Sequence, residues 1–180
     1  ITGIPGDEFI EHMLPNCSSS EKSQIAKEFV KFNERCMIRL LGDMRSYNYV
    51  VVPTHDFDHV VYSIRAIDFD QQSYEGKFNV YRPQFFKENF IMVDLVSEKF
   101  EKMSINQYKL EERSIIAKRL ISYENRISRL INSMSDDTIS IPENELVLKT
   151  TIYEYTKDPR FMKSKNMGEI SVSYTHLRAH

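Results

Sequence analysis

Two short stretches of this sequence carry residue types that could do chemistry together. The first is Leu41-Gly42-Asp43-Met44-Arg45-Ser46-Tyr47-Asn48, and the second is Ile67-Asp68-Phe69-Asp70. Their carboxylates and carboxamide supply hard oxygen atoms, suited to taking a proton and to holding a cation such as magnesium. That ion prefers oxygen ligands in octahedral geometry and takes few of them from protein. Between the two lies His55-Asp56-Phe57-Asp58-His59, whose imidazoles and carboxylates are the right atoms for zinc, manganese or iron.

The elements around these stretches decide which of them can act. Ser18-Ser19-Ser20 offers helix N-caps, and Ile25, Phe29, Phe32, Cys36 and Met37 then recur at three- and four-residue steps. That spacing predicts a helix running to about Leu40 and stopping at Gly42. A shorter helix is expected near Asp7 to Leu14. Asn48 to Pro53 reads as a strand, Thr54 to Asp58 as a polar turn, and His59 to Ile67 as the returning strand of a hairpin. Gln71 to Pro83 is irregular. Helices are expected over Val93 to Met103, over Asn106 to Met134 with Tyr108, Ile115, Ile116, Leu120, Ile127 and Leu130 on one stripe, and over about Glu143 to Thr156. A polar break at Ser135-Asp136-Asp137 precedes the last of these. The fold class is therefore mainly α with a small β-hairpin (α+β), with no internal break at which to divide the body.

The order of helix, loop, hairpin, acidic motif and further helices resembles the aminoglycoside phosphotransferase and choline kinase branch of the protein kinase-like fold. That branch carries a histidine-glycine-aspartate loop with asparagine five residues after the aspartate, then an apolar strand and an isoleucine-aspartate motif. The resemblance spans about Ser20 to Asp70 and implies the C-terminal lobe of such a fold. It implies Asp43 as catalytic base, Asn48 and Asp68 as ligands of Mg2+, and Asp70 as a further ligand. ATP would be the phosphoryl donor and an unidentified hydroxyl compound the acceptor. Leu41 stands where the family has histidine, a residue that supports the loop. The glycine-rich loop and nucleotide-contacting lysine of the family belong upstream, so the lobe alone is expected to be inactive.

Three other readings compete. Asp43 can simply follow a helix end and Asp68 and Asp70 end a strand in solvent. An inactive kinase-like scaffold suits Leu41 equally well, with the long helix as a partner surface. A metal-dependent phosphohydrolase would use His55-Asp56 and Asp58-His59, although a hairpin tip points alternate residues to opposite faces. The aromatic residues Tyr74, Phe78, Tyr81, Phe85 and Phe86 offer either a substrate platform or a means of docking an irregular segment.

Composition narrows the classes. With 24 Lys and Arg against 26 Asp and Glu, bulk charge gives no reason to expect nucleic-acid binding. No apolar run is long enough to span a membrane. Cys17 and Cys36 suggest neither a disulfide framework nor a metal site, and a reduced, cytoplasmic setting is expected. The ends are expected to be artificial. Ile1 is not an initiator methionine, and Val172 to His180 resembles translated sequencing-adapter DNA. The native body is accordingly read as residues 1–171, with 172–180 set aside as a non-native tail.

Overall fold

A computed structural model describes residues 3–57, 59–69, 72–134 and 141–179. The chain is mainly helical with one small antiparallel sheet, in the order β1-β2-β3. By packing it separates into two units, each assembled from discontinuous segments. One comprises residues 1–37, 43–69 and 81–112, the other residues 38–42, 70–80 and 113–180. Two of the five boundaries, after residues 37 and 112, fall inside helices, where no linker composition could mark them.

In the first unit, β1 (Ile4–Pro5) pairs with Val50 and Val51 of β2 (Tyr49–Asp56), and β2 pairs along its whole length with β3 (His59–Ala66). The first strand is longer than the sequence suggests. Thr54, His55 and Asp56, expected in the turn, belong to β2, and Phe57 after it lies in the left-handed region at φ +50° and is wholly exposed. Pro53 is tolerated because its partner Tyr62 directs its own backbone groups away from β2, to Gln24, so the missing N–H lies on the side away from β3 and costs that pairing nothing.

A composite helical run follows β1: α1 (Gly6–Glu8), then a π turn over Phe9–Met13 and a 3-10 turn over Leu14–Asn16. Next comes α2 (Ser19–Ile38), opened by a reciprocal capping box. The Ser18 N–H donates to the Glu21 carboxylate at 2.8 Å, and the Glu21 N–H donates to the Ser18 hydroxyl at 3.2 Å. The α2 face carrying Ile25, Phe29 and Phe32 is buried, and the Phe32 ring meets Tyr49 of β2 edge-on at 5.0 Å. Met92, Leu95 and Val96 of α3 (Phe90–Lys99) are buried in the same unit.

The sheet's outer edge at β3 is closed by side chains of α2. Gln24 takes both backbone groups of Tyr62, Glu28 accepts the Ile64 N–H at 3.1 Å, and Arg35 donates to the Ile64 carbonyl at 3.1 Å. Arg35 also joins Glu28 at 2.6 Å and Glu112 at 3.3 Å, and Glu112 is only 4% exposed. Burial works against the Arg35 charge, yet the two carboxylates prevail and hold its pKa above the usual value.

The expected single helix from Asn106 to Met134 is instead two, α4 (Lys102–Ser122) and α5 (Glu124–Ser133), separated at Tyr123. Their proposed apolar stripe is only partly buried: Ile116 is inside, whereas Ile115 and Leu130 face solvent. In the second unit, α6 (Pro142–Thr156) ends on Lys157 in left-handed geometry and is followed by α7 (Arg160–Lys163) and α8 (Met167–Ala179). Leu148, Ile152, Phe161, Met167, Ile170 and Tyr174 form its core. Residues 172–179 thus continue α8, with Tyr174 buried. Their resemblance to adapter DNA concerns codons and is separate from this packing. The polar break at 135–137 lies outside the described residues.

Candidate functional site

The loop between α2 and β2 is shaped by three local features. Leu40, not Gly42, is the residue that leaves the helix in the left-handed region, at φ +59°. Gly42 serves another need: a Cβ there would come within 2.7 Å of the Asn79 side chain, so a close approach rather than a turn requires glycine. Leu41 is buried at 2% exposure. The loop then closes in a 3-10 turn over Ser46–Asn48, where the Asn48 N–H donates to the Arg45 carbonyl at 2.9 Å.

Asp43, Asn48 and Asp68 lie on one hydrogen-bonded path. The Asn48 amide Nδ2 donates to the Asp43 carbonyl at 2.8 Å. The Asn48 carbonyl in turn accepts the N–H of Ile67 at 3.0 Å and of Asp68 at 3.4 Å. Because Asn48 is buried and its Nδ2 is engaged, Oδ1 is the side-chain atom left to meet a cation. Asp70 lies outside the described residues.

The Asp43 carboxylate has a partner that the spacing of the motif does not reveal. Arg45 Nε donates to it at 3.0 Å, and the Arg45 guanidinium also approaches Glu88 at 3.7 Å and lies 5.7 Å from the Phe86 ring centroid. The hydrogen bond and charge of Asp43 hold the Arg45 pKa above its usual value. Arg45 stands within the quoted motif, so its charge beside an aspartate is the signal by which it could have been found.

A second missed set lies behind the loop. The carbonyl of Met44 accepts from the Tyr81 hydroxyl at 2.8 Å and from Asn89 Nδ2 at 2.8 Å. Nδ2 is also 3.1 Å from the Tyr81 oxygen, and the Tyr49 hydroxyl donates to Asn89 Oδ1 at 3.2 Å. Asn89 is wholly buried. Burial pushes the phenols of Tyr49 and Tyr81 well above their usual pKa, which keeps both as neutral donors. Nothing in the sequence distinguishes this asparagine from a solvated loop residue.

The described aromatic residues of the stretch make local ring contacts. Phe78 packs on Tyr155 and Tyr174, whereas Tyr81 stacks with Phe86 and Phe85 is exposed. The residues of the metal-hydrolase cluster lie at the tip end of the hairpin. His55 and Asp56 are exposed on β2, His59 lies opposite Asp56 on β3, and Asp58 falls outside the described residues. Among the described residues, no three histidine, cysteine, aspartate or glutamate side chains gather as a metal site. Asn48 and Asp68 differ from that cluster in carrying hard oxygens alone, the ligand type that magnesium takes. Among the described residues, no helix is long and apolar enough to cross a membrane.

No family model, curated protein or solved structure matches this chain.

Proposed function

We propose that this chain is the catalytic lobe of a kinase-like phosphotransferase that moves the γ-phosphoryl group of ATP to a hydroxyl of an acceptor. The observation that carries the reading is the bonded path from Asp43 through Asn48 to Asp68, because it brings a carboxylate-bearing loop and an acidic motif to the same end of one hairpin. In this reading Asn48 and Asp68 hold Mg2+, with Asp70 as a further ligand, and the ion neutralises phosphate charge when bound. Asp43 takes the proton of the acceptor hydroxyl. The acceptor oxygen then forms its bond to the γ-phosphorus, the bond from that phosphorus to the bridging oxygen breaks, and ADP leaves with the electron pair. Arg45 orients the Asp43 carboxylate, and packing of Leu41 replaces the support that histidine gives in the family.

The test is Mg2+-dependent ATP binding and turnover by the protein at full length, with Asp43→Asn and Asp68→Asn alongside. The expected result is that Asp68→Asn weakens the metal dependence and that Asp43→Asn abolishes turnover while ATP still binds. Absence of Mg2+-ATP binding at full length overturns the reading in favour of a scaffold. Phosphate release from phosphoesters without ATP overturns it in favour of a hydrolase.

A further inference from the structure

We infer that Tyr81 and Asn89 are positioning residues that fix the proposed base by gripping the backbone beside it. This rests on the phosphotransferase reading. Met44 directly follows Asp43, and its carbonyl receives two buried donors, Tyr81 Oη and Asn89 Nδ2, each at 2.8 Å. Asn89 also accepts from Tyr49, the residue directly after Asn48. One side chain therefore holds both ends of the loop. Asn48 Nδ2 closes the circuit at the Asp43 carbonyl.

Core stability alone is a poor account of this group. A buried polar set of this kind is stabilising only when every member is satisfied, and apolar residues of similar volume can be as stable. Here the donors converge on one carbonyl of an irregular loop rather than on a helix or strand. What they add is a fixed backbone position next to a carboxylate whose chemistry depends on placement. A displacement of about 1 Å can cost on the order of a hundredfold in rate.

Tyr81→Phe tests this, because it removes one donor to Met44 and keeps the ring that stacks on Phe86 at 5.8 Å. Tyr49→Phe, which loosens Asn89 from the far end of the loop, is the second variant. At full length, kcat should fall by about ten- to a hundredfold with the KM for ATP unchanged. Amide exchange should rise at residues 44–48 but not in β2 and β3. An unchanged kcat in both variants, with wild-type turnover intact, overturns the inference and leaves the phosphotransferase reading standing. No Mg2+-ATP turnover in the wild type overturns that reading, and the inference with it.

Discussion

Gln24 satisfies both backbone groups of Tyr62: its Nε2 donates to the Tyr62 carbonyl at 3.0 Å and its Oε1 accepts the Tyr62 N–H at 3.1 Å. A helix side chain thus stands where a further strand would pair. Gln24→Leu keeps the volume and strands both groups, at a cost of about 1–3 kcal/mol. It also opens the β3 edge to pairing between molecules. Urea unfolding and sedimentation should show a lower midpoint and concentration-dependent association. Unchanged stability in a strictly monomeric variant would mean that the edge is closed by something other than Gln24.

Arg35 separates Glu28 from Glu112, and the second of these is buried. Arg35→Met leaves Glu112 without its guanidinium, and the expected loss is about 2–4 kcal/mol, below the fully buried range because Arg35 keeps some contact with water. Adding Glu112→Met should recover much of that loss. A double variant no more stable than Arg35→Met would count against a charge-pair origin.

Gly6 lies against the site loop, where a Cβ would collide with the Ser46 carbonyl and the Tyr49 ring. The first of these is backbone and has little room to yield. Gly6→Ala should destabilise by about 1–3 kcal/mol, and it should shift the amide resonances of residues 43–49 in an NMR spectrum. If those resonances stay in place, the loop is not seated on this glycine.

The capping box gives a pH signature. Hydrogen bonds from Ser18, and then from Tyr62, hold the Glu21 carboxyl below the usual glutamate value. A depressed carboxyl pKa contributes stability that is present above the unfolded-state value and lost as pH falls through the folded-state value. Thermal midpoints should therefore fall more steeply below about pH 4.3, the unperturbed glutamate value, in the wild type than in Glu21→Gln. Parallel curves for the two proteins would remove Glu21 from the acid response.

The sequence makes the hairpin and α2 legible because β-branched runs and three- and four-residue apolar spacing are local signals. Ends are harder to read. Gly42 looks like the helix stop, yet Leu40 takes the left-handed position, and the glycine answers the close approach of Asn79. Pro53 looks like a strand end, since only the pairing shows that its missing N–H points away from β3. Tyr123 interrupts a helix with neither glycine nor proline to announce it. At the site, the five-residue step from Asp43 to Asn48 is legible, whereas the bond it makes to a backbone carbonyl is not. Asn89 is invisible for a related reason, because a buried asparagine is defined by partners far along the chain.

The interleaving of the two units bears on how the protein can be made and cut. The chain passes from one to the other after residues 37, 42, 69, 80 and 112. Any single segment that contains one unit whole, such as residues 1–112 or 38–180, also carries part of the other, so neither can be excised cleanly. On the ribosome, the first unit lacks its last segment until residue 112 has emerged, although its sheet is finished far earlier. Synthesis thus exposes the α2 face and the hairpin together while α3 is still to come, and nascent-chain protease protection should rise late and in one step.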